Sequence, residues 1–304
     1  MQTEKYFDNI KLRVDTMSRK ISRRSFLKRV GKVSIASIVT GMIGHFYIKH
    51  IEPKWIEITH QPIHHPLIPP SFNNFRIIQF SDTHLGFHLD FDQFEKIIQT
   101  ISNQFADCII FSGDLVDNLL SFFEFEHVIL LLSQLQAPFG KFAVYGNHDH
   151  GGWGTEKYAD IMRASGFTLL RNESVFIEIA SDEQITLTGI DEPILGKPDI
   201  KKAVKNIPAE QFTILISHAP DLADDVKNYP VHLQISGHTH GGQVQMPLVG
   251  PLITPPMGQK YTDGYYEITD KFSLYVNRGL GTTRLPYRFL SRPEITLFTL
   301  HNKN

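Results

Sequence analysis

Five short apolar runs govern what this chain can become, each broken off by a small residue and then by side chains able to hold a metal. They read FRIIQF-SDTH (75–84), DCIIF-SGDLVDN (107–118), FAVY-GNHDH (142–150), FTILI-SHAP (212–220) and HLQI-SGHTHGG (232–242). Continuous apolar runs of this length, bounded by turn residues, mark strands buried on both faces. Helical spacing separates the first of them. Phe91, Phe94, Ile97, Ile98 and Ile101 share one face, with Asp90 as N-cap and Gln93 three residues on. Phe122–Leu135 reads as a second apolar helix, and 155–165 as a third closed by Gly166. Further strands at Val175–Ala180, Ile185–Ile190, Phe272–Val276 and Ile295–His301 imply a second sheet. The pattern predicts an α/β fold, a two-sheet β-sandwich flanked by helices. Ligands in such folds gather beyond the carboxyl ends of the strands. Five ligand-bearing ends then converge on one mouth.

Those ends offer Asp82, His84, Asp114, Asn147, His148, His218, His238 and His240. A lone histidine or aspartate on a turn is ordinarily a solvated or capping residue, but this combination needs a common cause. Fifteen histidines in 304 residues is also a high count. Carboxylate, imidazole and amide donors together suit divalent Mn, Fe, Co or Zn. Two such ions about 3.5–4 Å apart can clamp the attacking and leaving oxygens of a phosphoryl group.

The ordered series D-x-H, G-D, G-N-H-D, H and G-H-x-H resembles the calcineurin-like metallophosphoesterase superfamily over residues 72–300. With GNHDHGG, SGHTHGGQ and NRGLGTTRLP, it is most similar to the twin-arginine-exported bacterial branch. The resemblance implies an αββα fold and a hydrolase acting on a phosphodiester, pyrophosphate or phosphomonoester. It also implies that Asp82, His84 and His240 hold one divalent ion and Asn147, His218 and His238 the other, with Asp114 bridging. A water between the ions would be the nucleophile, His148 the general acid, and Asp149 the group that orients His148. Purple acid phosphatases carry a tyrosine three residues after the bridging aspartate. Asp117 stands there in this chain, so Mn²⁺ is expected ahead of Zn²⁺, Fe or Co²⁺.

Asp117 and Asn118 otherwise read as closing a turn, and Phe87 and Phe139 as packing residues. Arg278 and Arg284, in NRGLGTTRL, stand where a guanidinium could meet a phosphate, and His150 and His88 where they could touch substrate. The alternative from another class is a metal-holding scaffold of the same fold without catalysis. Retention of His148, which the ions do not need, argues against it.

Ser22-Arg23-Arg24-Ser25-Phe26-Leu27-Lys28, followed by the apolar Val33–Ile48, resembles a twin-arginine export signal. The expected organisation is a signal over 1–50, cleaved or kept as an anchor, an extended linker over 51–71, and a catalytic domain over 72–304. Trp55–Thr59 is a candidate edge strand within the linker. The expected partners are the twin-arginine translocation machinery and a phosphorylated small-molecule or lipid-linked substrate, at the cell envelope or wall beside the membrane. A formal charge of −2 gives no basis for nucleic-acid binding through bulk electrostatics. The single cysteine, Cys108, lies in an apolar run and reads as core.

Overall fold

Unbroken apolar runs become strands here because both faces of each are covered. In the computed structural model, which describes residues 22–150, 154–180 and 183–303, the chain divides into two compact units, Met1–Tyr47 and Ile48–Asn304. The first contains helix α1 (Arg23–Phe46), whose N-cap Ser22 accepts a hydrogen bond from the Ser25 amide at 3.2 Å. Its Phe26, Val33, Ile35 and Ile38 are exposed. Among the described residues no helix is long and apolar enough to cross a membrane.

The described residues of the second unit form two six-stranded sheets. The first has β2 (Arg76–Phe80), β3 (Cys108–Phe111), β4 (Lys141–Ala143) and β5 (Thr168–Leu169) in parallel, with β14 (Glu294–Asn302) antiparallel beside β2. β1 (Glu57–His65) pairs parallel with β14 and forms the edge. The second sheet runs β12 (Gly264–Thr269), β13 (Phe272–Val276), β9 (Leu233–Ser236), β8 (Thr213–Ile216), β7 (Glu183–Gly189) and β6 (Glu173–Ala180). Its four inner strands are parallel and its two outer strands antiparallel to them.

Alternation along each strand divides the apolar residues between layers. Ile77, Cys108, Ile110, Ile214, Ile216 and Ile235 fill the space between the sheets. Ile78, Phe80, Ile109 and Phe111 face the other way, under α2 (Phe91–Ser102), α3 (Phe125–Ser133) and α4 (Gly154–Ala164). Leu215, Leu274 and Val276 pack outside the second sheet with Ala203 and Val226, from the short helices α5 (Ile200–Ala203) and α6 (Ala223–Val226). This is the expected two-sheet sandwich with helices outside. Cys108 is fully buried, and burial pushes its thiol up.

Local signals held in part. Asp90 and Gln93 form the reciprocal capping box that opens α2, and Gly166 follows α4 with φ 80°. Helix α3 is shorter than Phe122–Leu135. Phe122 lies in the irregular segment before it and packs its ring against Phe91 and Phe125, and Glu124 provides no side-chain cap. The segment 51–71 contains the expected edge strand, which starts at Glu57 rather than Trp55 and runs past Thr59 to His65, so it is part of the sheet rather than a linker. Nine of its residues are β1, and the compact unit starts at Ile48 rather than Phe72. Pro62 fits within this strand because β1 is an edge, where an absent N–H can face outward.

Candidate metal centre

The sheets bring their parallel strand ends to one place. β2 leads into Asp82 and His84, β3 into Asp114, and the chain after β4 into Asn147 and His148. From the second sheet, β8 leads into His218 and β9 into His238 and His240. Five of the seven expected ligands adopt left-handed backbone conformations, with φ of 52° at Asp82, 43° at His84, 60° at Asp114, 76° at His238 and 53° at His240. Non-glycine residues rarely sit there, and such strain concentrates at functional sites. The neighbouring glycines give room. A methyl group on Gly237 would lie 2.5 Å from Ser81 Oγ and closer still to Asp82, and one on Gly146 would strike Asp114.

Beside a group that joins His148 to His84 and Asp114, two donor clusters result, each with ligand atoms within 4.8 Å of one another: Asp82, His84 and His240, and Asp114, His218 and His238. Asp114 Oδ2 stands between them, 3.5 Å from His84 Nε2 and 3.3 Å from His218 Nε2. Asp82 Oδ1 lies 3.5 Å from His240 Nε2, and Asn147 Oδ1 lies 3.2 Å from His218 Nε2.

The imidazoles fit cations rather than one another. His84 Nε2 and His240 Nε2 are 3.1 Å apart, while their Nδ1 atoms face Asp117 Oδ1 at 3.2 Å and the Gly281 carbonyl at 3.4 Å. Likewise His218 Nε2 and His238 Nδ1 are 3.1 Å apart, while the opposite nitrogens face the carbonyls of Ser112 and Pro256, both at 2.8 Å. Asp117 and the carbonyls of Ser112 and Pro256 accept from the outward nitrogens of His84, His218 and His238. His240 Nδ1 faces both the Gly281 carbonyl and the Arg288 guanidinium at 3.4 Å. With the rings neutral, lone pairs then face inward. A cation between them turns that repulsion into coordination, and the outward bonds of His84, His218 and His238 fix their tautomers. Protons balance the site poorly. Burial opposes it, yet Asp114 and Asp82 hold His218 up at about 10, while burial and the neighbouring His218 push His238 down to about 4.

His148 belongs to neither facing pair of imidazoles, although its ring lies within 4.8 Å of donor atoms of His84 and Asp114. Its side chain is 30% exposed, it meets His84 edge-on with ring centroids 4.6 Å apart, and its Nδ1 donates to the Asp117 carbonyl at 2.6 Å. Burial lowers its pKa, but Asp114, the Asp117 carbonyl and the charges of Asp117 and Asp149 outweigh this and raise it. Asp149 does not orient the ring. Its carboxylate accepts from the amides of Asp114 at 2.7 Å, Gly146 at 2.8 Å and Leu115 at 3.1 Å, stitching together the loops that carry Asp114, Asn147 and His148. Asp117, which reads as a turn residue, is the one that braces His148 through its carbonyl and His84 through its side chain.

The three expected substrate residues separate. Arg284 is exposed and lines the cavity over the centre. Arg278 turns away, 2.8 Å from Glu57 and 3.0 Å from Glu294, so it is not a phosphate contact in this arrangement. His150 borders a hollow beside His148, but its Nε2 is committed to buried Asp191 at 2.7 Å. Arg288, absent from the sequence expectations, is fully buried. It donates to the carbonyls of Ser291 at 2.9 Å, Arg278 at 2.9 Å and Gly279 at 3.0 Å. It also reaches the Gly281 carbonyl that faces His240 Nδ1, and so fixes the backbone behind that ligand. Phe139 packs on Phe75, as a core residue would.

The centre opens into a cavity of about 250 Å³, which adds an apolar wall to the metal donors and His148. The sequence pattern of calcineurin-like phosphoesterases matches residues 75–242. The chain is 46% identical over 286 residues to the metallophosphoesterase YkuE of Bacillus subtilis (strain 168), covering 94% of this chain and 100% of that one. It is 31% identical over 290 residues to phosphodiesterase YaeI of Escherichia coli (strain K12), covering 92% and 99%. A metallophosphoesterase of Aquifex aeolicus (strain VF5) is 29% identical over 262 residues, covering 84% and 95%.

Proposed function

As the chain belongs to the calcineurin-like phosphoesterase family and is a metal-dependent phosphoesterase, we propose that it hydrolyses a phosphodiester, pyrophosphate or phosphomonoester outside the cytoplasm with His148 as general acid. The facing imidazole nitrogens of the two histidine pairs, 3.1 Å apart in each, carry this reading. Asp82, His84 and His240 would hold one ion and Asn147, His218 and His238 the other, with Asp114 shared. When bound, the ions, Mn²⁺ before Zn²⁺, Fe or Co²⁺, supply charge that polarises the phosphoryl group and lowers the pKa of water.

His148 commits Nδ1–H to Asp117, so Nε2 is the atom that holds a proton for the leaving oxygen. Its raised pKa keeps more of the ring protonated near neutrality. Arg284 meets phosphate charge from the cavity wall. The experiment is turnover by the metal-loaded enzyme of esters with leaving groups of graded pKa. His148→Ala is expected to lose about 10²–10⁴-fold on poor leaving groups and far less on p-nitrophenolate. An equal loss across the series would remove the general-acid role.

The twin-arginine translocation machinery is the proposed export partner, and the outer face of the membrane or the wall the proposed location. Ser22–Lys28 supports this. Replacing Arg23 and Arg24 by lysine is expected to retain the protein inside the cell, and unchanged export would sink the proposal.

A further inference from the structure

The cavity wall beyond the metal donors is apolar: Val244, Leu252, Ile253, Pro255 and Leu285 line it. We infer that this wall receives a hydrocarbon chain joined to the phosphate, so that the substrate is an amphiphilic phosphate ester; the inference rests on the phosphoesterase reading above.

Three polar side chains of the lining beyond the metal donors, Gln243, Thr239 and Thr283, are already occupied. Gln243 donates to the Thr283 carbonyl at 2.9 Å and accepts from the Thr283 amide at 3.0 Å. Thr239 donates to the Thr262 carbonyl at 2.5 Å and accepts from Gly241 at 3.2 Å. Thr283 donates to Asp117 at 3.3 Å. A sugar or base would need unspent donors and acceptors on this wall, and these three side chains are turned to the protein itself. Arg284 adds a positive charge beside the metal donors. Phosphate charge at one end and apolar surface at the other describe an amphiphile.

The wall also continues outward. β10 (Gln245–Met246) and β11 (Gly250–Pro251) form a hairpin between Val244 and Leu252. Backbone bonds fasten the hairpin to the loop that carries Leu285, Gln245 donating to Phe289 and Phe289 to Gln243, both at 2.8 Å. Leu248 at the hairpin tip is fully exposed with φ 69°, a conformation unfavourable for a branched residue. Val249, Leu252, Ile253 and Leu285 are exposed as well. Solvent-facing apolar surface gathered on two tied segments marks a binding site. Its continuity with the metal cavity identifies the occupant as part of the molecule that brings the phosphate.

The experiment uses full-length, metal-loaded protein and p-nitrophenyl alkyl phosphodiesters with ethyl, butyl, hexyl and octyl chains, each below its critical micelle concentration. The leaving group is constant, so only the chain varies. Each methylene lying on the wall is expected to raise kcat/KM by about fourfold, mainly through KM, with the hexyl ester at least tenfold above the ethyl. Ile253→Ser with Leu285→Ser is expected to flatten that dependence, whereas Phe123→Ser, an exposed aromatic outside the lining, keeps it. Cleavage of the ethyl ester with no chain-length dependence in the unsubstituted enzyme overturns this inference and leaves the hydrolase reading intact. No cleavage of these diesters, of p-nitrophenyl phosphate or of pyrophosphate by protein shown to hold two metals per chain overturns both.

Discussion

Replacing Gly237 by alanine tests whether the glycines around His238 and His240 are there for space. The added methyl would lie 2.5 Å from Ser81 Oγ and closer to Asp82 Oδ2, whereas ordinary contact begins near 3.4 Å. Relief requires movement of nearly an ångström. Asp82 has little freedom to give it, since its two oxygens accept from the His238 amide at 3.1 and 3.0 Å. The displaced atom is an expected metal donor, and misplacement by about 1 Å costs on the order of 100-fold in rate. Overpacking adds about 1–3 kcal/mol of destabilisation, which at roughly 2–4 °C per kcal/mol is a visible fall in Tm. The assay joins metal content by mass spectrometry, kcat on bis-p-nitrophenyl phosphate and calorimetric Tm. Gly264→Ala is the control, because Gly264 has φ 84° with nothing within 4 Å of an added methyl. It should lose about 1–2 kcal/mol to backbone strain and keep both metals. Gly237→Ala with two metals and a rate within threefold of the parent would refute the steric reasoning.

Burial and the neighbouring Asp114 raise Asp149 to about 7, and Asp149→Asn should lose about 1–3 kcal/mol for each backbone hydrogen bond it cannot keep, read by urea unfolding, without the selective loss on poor leaving groups expected of His148→Ala. A matching leaving-group defect would restore an orienting role to Asp149. Arg284→Ala should raise KM about tenfold with kcat little changed, and a kcat loss alone would place the guanidinium in the transition state only. The buried Asp191 is depressed below the ordinary carboxylate range: burial opposes this, but His150, the Lys197 amide and Arg171 overcome it. A carboxylate depressed on folding stabilises fully above its unfolded pKa of about 3.9 and loses that contribution as pH falls below it. Urea unfolding from pH 7 to 3 should therefore show a shallower acid decline for Asp191→Asn than for the parent, and parallel curves would contradict the linkage.

Much of the site is legible because strand ends are legible. An apolar run that stops at Ser-Asp, Ser-Gly-Asp or Ser-Gly-His marks both the strand and the side chains beyond it, and residues 82–84, 114 and 238–240 follow directly. What fails is direction. Asp149 is adjacent to His148, yet their side chains leave the turn differently, one to backbone amides and the other to the Asp117 carbonyl. Arg278, Arg284 and Arg288 share one stretch, and only the folded loop makes one an ion-pair partner, one a cavity residue and one a buried brace. The candidate edge strand Trp55–Thr59 catches only the start of β1 (Glu57–His65), for another reason. Its partner β14 lies more than 200 residues later, and its prolines imitate a linker until the pairing shows it to be an edge.

The sharing of Asp114 between two ions is the central claim, and Mn²⁺ titration of chelator-stripped protein tests it most directly. Turnover of bis-p-nitrophenyl phosphate and the electron paramagnetic resonance spectrum would be followed together. The expected result is two ions per chain, activity that appears with the second, and a spin-coupled pair whose coupling is lost in Asp114→Ala. Full activity at one ion per chain, or two uncoupled ions in the unsubstituted protein, would contradict it.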